Sequence, residues 1–188
     1  MHYTQTESRY FYFHCRAAAL VLQDLGLNTA TRVHVHNAIR MATLNAVGKN
    51  GIRLASKDAF AQLERVVEGP KTNGLIREHV VPVSVIARYV ESAWASGTTC
   101  AWRELKQSLH QDDFDNWEVI DSDAFQDSAA PFSAFIAAHV RDNSLLAWVT
   151  ARDNARLRDS KLGKSMPESM PGNPRARYIA CGIDLVDI

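Results

Sequence analysis

The sequence predicts a mainly helical α+β fold, a single domain with a few short β-strands and a small hairpin around Glu78-His79. Apolar residues recur at helical spacing through most of the chain, and clusters of Gly, Pro and Asn cut that pattern into segments. Between the segments lie short apolar runs at 74–83, 144–149 and 178–186, which have the length of strands. With 188 residues, 46% of them hydrophobic and 22% charged, the chain suits one packed domain, with sub-lobes 1–68 (helical) and 75–188 (mixed) as its natural division.

In chain order, residues 8–25 carry Tyr10, Phe13, Ala17, Leu20, Val21 and Leu25 at helical spacing, and Gly26 is a natural stop. Asn28 or Thr29 caps a second helix to about Val47, whose buried stripe is Val35, Ile39, Ala42 and Ala46. His34 and His36 lie on this helix two positions apart. Such residues point about 200° from each other and do not share an ion, so they read as ordinary helix histidines. A third helix is expected from Ser56 to about Val67, with Phe60, Leu63 and Val67 on one face, followed by the strong loop signal of 68–74.

After Pro82 a helix with Val83, Ile86, Val90 and Trp94 on one face is expected, then another from Thr98 or Thr99 to about Leu109 burying Trp102 and Leu105. Trp117 to Ile120 reads as an edge strand inside an acidic loop. Residues 131–141 read as helix in preference to strand, and 144–149 as a strand. Thr150-x-x-Asp153 has the form of a capping box, so a helix from Ala151 to about Leu162 follows, stopped by Gly163. Residues 165–174 form a covering loop, and 178–186 a final strand bent at Gly182.

The formal net charge is zero, so a nucleic-acid partner has to be met by a local basic face. Seven acids and no Lys or Arg lie between Asp112 and Asp127, whereas eight basic residues stand against four acids from Arg141 to Arg177. One acidic edge and one basic face are expected. The acidic run lacks the central Gly and closing Glu of a calcium loop. Cys15, Cys100 and Cys181 are odd in number, widely spaced and without a Cys-x-x-Cys pair, which points to reduced thiols in a cytoplasmic protein. The N-terminal residues are polar where a signal peptide needs an apolar core, and no stretch approaches the roughly 20 apolar residues of a membrane span, so no membrane partner is expected.

One stretch carries chemistry. In Gly74-Leu75-Ile76-Arg77-Glu78-His79-Val80-Val81-Pro82-Val83, three ionisable residues interrupt an apolar run. Glu78-His79-Val80-Val81-Pro82 resembles the first half of the HNH motif of the His-Me finger endonucleases, in which an Asp-His or Glu-His pair ends a strand and Pro follows three residues after the His. The resemblance covers five residues and implies phosphodiester hydrolysis, with His79 as general base, Arg77 beside it and Glu78 holding Mg²⁺ or Mn²⁺. Adjacent residues of a regular strand face opposite ways, so the two roles need the strand to end or twist there.

The family's second half, an Asn and a His or Asn on a helix shortly after the strand pair, has no counterpart at that interval. His110, His139, Asn143 and the pair Asp153-Asn154 are the nearest candidates, and Asp153 with Asn154 is the chosen completion of the metal site. Arg152, Arg156, Lys161 and Arg177 are then the expected nucleic-acid contacts, DNA in preference to RNA. The competing reading makes Arg77-Glu78 a local charge pair and Pro82 the first-turn proline of the next helix. The chain is then a non-catalytic interaction or regulatory module whose acidic edge meets a basic protein.

Overall fold

The computed structural model describes residues 5–47, 51–65, 74–96 and 130–188. Their architecture is mainly helical α+β, with a four-stranded mixed sheet. The chain divides into two units that alternate along it: a helical unit, Met1–Gly48 with Ile86–Asn143, and a sheet unit, Lys49–Val85 with Ser144–Ile188. The expected helix at 98–109, the strand at 117–120 and the acidic run at 112–127 lie outside the described residues.

The helical unit is built on α1 (Gln5–Leu25), α2 (Thr29–Val47), α4 (Val83–Ala95, its first turn in the sheet unit) and α5 (Ala130–Asn143). Helix α1 packs on α2 and α5. Gly26 ends α1 with φ +66°, the left-handed conformation a Cβ disfavours. Asn28 then caps α2, its Oδ1 accepting from the amides of Ala30 and Thr31 at 2.9 and 3.0 Å. The α2 stripe is buried as expected, but α1 turns a different face inward. Phe11, Tyr12, Cys15, Ala18, Ala19 and Leu22 are buried, while Tyr10, Phe13 and Leu25 are exposed. Both sets of α1 residues are apolar, so spacing alone did not distinguish them; the faces presented by α2 and α5 did. His36 on α2 bonds Glu91 of α4 at 3.1 Å, and Arg32 approaches the same carboxylate at 3.6 Å, whereas His34 is exposed.

Helices α4 and α5 share a run of aromatic rings. Trp94 meets Phe132, Phe132 stacks on Phe135, and Tyr89 stacks on His139 with centroids 4.1 Å apart. This apolar sandwich pushes the His139 pKa down to about 4, because burial disfavours the charged ring more than nearby Asp142 favours it. Its Nε2 is buried with no hydrogen-bond partner among the described residues.

The sheet unit contains β1 (Leu54–Ser56), α3 (Lys57–Arg65), β2 (Ile76–His79), β3 (Leu146–Val149), α6 (Ala151–Asp159), α7 (Ala176–Ala180) and β4 (Leu185–Asp187). Strand order is β2-β3-β1-β4. β3 runs parallel to β1, and both edge strands pair antiparallel to their neighbours. The strand carrying Glu78-His79 therefore finds its partner in β3, far along the chain, rather than in a local hairpin. Leu54, Val80, Ala147, Val149, Leu157, Tyr178 and Ile183 form the core on one face of the sheet.

Three elements differ from expectation. β1 has only Leu54-Ala55-Ser56, too short for a period-2 signal, and Ser56 also caps α3 by accepting from the Ala59 amide at 3.2 Å. Helix α6 closes at Asp159 rather than Leu162. Tyr178 to Ala180 are helical instead of extended. The Asn173 side chain accepts from the Arg175 amide at 2.9 Å, starting one turn that buries Ala176, Arg177 and Tyr178 together, and Gly182 at φ +62° turns the chain back toward β4.

Because unfolding restores the His139 pKa toward its ordinary value near 6.5, the unfolded chain binds a proton first as pH falls. Stability should drop between about pH 6.5 and 4. Thermal melts of His139→Phe should show a smaller loss over that window than the wild type, and an equal loss would contradict the burial of this ring.

Candidate functional site

The register of β2 against β3 decides which way each residue of the central stretch points. Ile76 lies opposite Val149, Arg77 opposite Trp148, Glu78 opposite Ala147 and His79 opposite Leu146. Since Ala147 and Val149 face the core, Ile76 and Glu78 face it too, and Arg77 and His79 occupy the other, outer face with Trp148 and Leu146, where Arg77 is exposed, His79 half-buried and Leu146 buried. The Val80 amide continues the ladder to the Leu145 carbonyl at 2.8 Å. The strand ends at His79, but both residues of the Glu-His pair are still paired with β3, so the two side chains stay on opposite faces.

On the inner face, Glu78 is committed to Arg177, with Oε1 2.6 Å from Nη2. Arg177 is 0% exposed and uses its whole fork. Nε donates to the Val80 carbonyl at 3.0 Å, Nη1 to the carbonyls of Leu162 and Gly163 at 3.1 and 3.3 Å, and Nη2 to Glu78 and the His79 carbonyl. Five N–H groups meet five acceptors, so the buried charge is satisfied. Arg177, expected as a nucleic-acid contact, is instead an internal clamp joining β2, the turn after α6 and α7. Proximity to other basic residues in sequence suggested an exposed face; burial of α7 removed it.

Asp153 also has an internal task. The expected capping box is present: Thr150 Oγ1 accepts from the Asp153 amide at 3.1 Å. Asp153 Oδ2 accepts from the hydroxyls of Ser56 and Thr150 at 2.6 and 2.8 Å, and the residue is buried. It stands at the Val149 end of β3, whereas His79 lies opposite Leu146, three residues or about 10 Å away along the strand. This sets His79 apart from Asp153; a metal site needs several ligating side chains grouped around one point. Among the described residues, no three His, Cys, Asp or Glu side chains form such a group.

The other expected contacts are placed outward. Arg77, Arg152, Arg156 and Lys161 are exposed, as are Arg158 and Lys164. Arg156 is tethered, its Nη2 donating to the carbonyls of Cys181 and Gly182 at 2.6 and 3.2 Å. Two residues of this neighbourhood escaped the sequence reading. Ser56 anchors Asp153 from β1, which only tertiary pairing reveals. Trp148 shares the outer face with Arg77, visible only once the register is known. Among the described residues, no helix is long and apolar enough to cross a membrane.

The clamp predicts a stability effect. Removing one partner of a buried pair leaves the other charge uncompensated, so Glu78→Ala should lower the unfolding free energy by about 3–5 kcal/mol in urea titration, with Glu78→Gln milder because it retains an acceptor. A loss below about 1 kcal/mol would place the pair in solvent. No protein family, curated protein or solved structure matches this chain, so the reading of the site rests on its own residues.

Proposed function

We propose that the sheet unit binds and hydrolyses nucleic-acid phosphodiesters on the outer face of β2, with His79 as general base and Arg77 as the phosphate-binding cation. One observation carries this reading. β2 and β3 form an antiparallel pair followed after Thr150 by α6, which contacts β2, so the Glu-His dipeptide closes the first strand of a strand-pair-then-helix unit. The placement of the Glu-His pair at a strand end goes with the resemblance of Glu78-His79-x-x-Pro82 to the His-Me finger endonucleases, with α4 and α5 inserted between the two paired strands in this chain.

The electrostatics are favourable. The sheet unit holds thirteen Lys or Arg against nine Asp or Glu, although the whole chain is neutral. Arg77 and His79 are two residues apart on one strand face, roughly 7 Å, the spacing at which one group holds a phosphate oxygen while the other takes a proton from water. Glu78, on the opposite face, acts through Arg177, which bonds the His79 carbonyl and so fixes the backbone that aims the imidazole. The exposed cations Arg152, Arg158, Lys161 and Lys164 supply phosphate contacts in the same unit. A reducing, cytoplasmic setting goes with this reading, since Cys15 and Cys181 are unpaired thiols.

Purified protein incubated with supercoiled plasmid, or with RNA, in Mg²⁺ or Mn²⁺ buffers should nick the DNA in preference to the RNA. His79→Ala should lower the rate by about 100-fold or more, and Arg77→Ala should weaken binding without changing the fold. Equal inactivity, or equal activity, of wild type and His79→Ala would overturn the assignment.

A further inference from the structure

Helix α1 is apolar on two opposite faces. One of them, with Phe11, Cys15 and Leu22, is buried where α1 packs on α2 and α5. The other carries Tyr10, Phe13, Ala17, Leu20 and Asp24 at alternating spacings of three and four, with Val21 beside them. On this second face Tyr10 and Phe13 are 56% and 61% exposed, while Ala17, Leu20 and Val21 are half-buried. A helix that is apolar all round is ordinarily covered all round, yet here two aromatic rings stand open to solvent.

The charges flanking that face complement one another. Arg9 and Asp24 are both exposed, and among the described residues neither has an ion-pair or hydrogen-bond partner. They stand eight and seven positions either side of Ala17, about 12 and 10.5 Å along the helix axis. A twofold axis across the helix at Ala17 therefore brings each Arg9 beside Asp24 of the partner subunit. In a parallel pair Arg9 would stand against Arg9 of the partner subunit, and Asp24 against Asp24 of the partner subunit, so charge selects the antiparallel arrangement.

We propose that this face pairs with the same face of a second copy of the chain, the two α1 helices running antiparallel and crossing at Ala17. Phe13 then packs on Leu20 of the partner subunit, and Arg9 meets Asp24 of the partner subunit at both ends of the contact. Ala17 is the small residue at the crossing, where a bulky side chain would hold the helix axes beyond the roughly 8–10 Å of ordinary helix packing. A second copy is favoured over an unrelated partner because cation, apolar centre and acid are balanced about one residue, as an isologous contact requires. One helix a side is a small interface, so the dimer is weak, with a dissociation constant on the order of 10 µM. α1 belongs to the helical unit, so this assignment and that of the outer face of β2 stand or fall separately.

Sedimentation velocity of the full chain between about 1 and 200 µM in low-salt buffer should show a concentration-dependent equilibrium of monomer and dimer. Phe13→Asp, at an exposed side chain, should raise the dissociation constant about tenfold or more. Arg9→Asp or Asp24→Arg alone sets like charges together and should weaken the dimer, whereas the two exchanges combined restore the pair in reverse and should recover the wild-type constant. Far-UV circular dichroism checks that each variant is folded, and should Phe13→Asp not fold, the charge exchange decides alone. A monomer throughout the range, a dimer indifferent to folded Phe13→Asp, or a double exchange no tighter than the single ones would overturn the proposal.

Discussion

The guanidinium of Arg177 is the interaction on which the sheet unit depends. Burying a charge in an apolar core is costly unless every donor is met, and here β2, the turn after α6 and the Glu78 carboxylate together supply the acceptors. The acceptors on β2 lie far from the arginine in sequence, since Arg177 to Glu78 spans 99 positions. The short strands could not hold their places by ladder bonds alone: β2 and β3 have four residues each and β1 and β4 three. A planar fork that demands fixed acceptors gives such a sheet its specificity. It does so by making a displaced β2 leave an unpaired charge.

This constraint also sorts the central stretch into two halves with separate tasks. Glu78 belongs to the interior and Arg77 with His79 to the outer face, because a strand alternates and the hydrogen bond from Val80 to Leu145 shows that the alternation is unbroken. The Glu78 carboxylate is held to Arg177 by a 2.6 Å pairing through Oε1. Likewise Asp153, placed at the N-terminus of α6 by its capping box, accepts from Ser56 and Thr150 through Oδ2.

Much of the fold was legible because it is local. The Asn28 cap, the Val35-Ile39-Ala42-Ala46 stripe, the helix after Pro82 and the Thr150-Asp153 capping box each depend on contacts within a few residues, which spacing reports directly. What failed to show depends on partners distant in sequence. The inward face of α1 was chosen by α2 and α5, the three residues of β1 are a strand only because β3 and β4 flank them, and Tyr178 is helical because a turn at Asn173 delivers Arg177 to Glu78. The candidate site divides the same way: Glu78-His79 could be singled out as a pair, but which of the two faces outward follows from a register that no local pattern encodes.

The separation of the two faces is open to a direct measurement. In a ¹⁵N NMR titration with a phosphorothioate DNA oligonucleotide, which resists cleavage, the His79 imidazole and Arg77 guanidinium signals should move with bound DNA. The Arg177 Nε–H signal should remain fixed and slow to exchange. Movement of Arg177 with an unperturbed His79 would contradict the division of this strand into an outer face carrying Arg77 and His79 and an inner clamp.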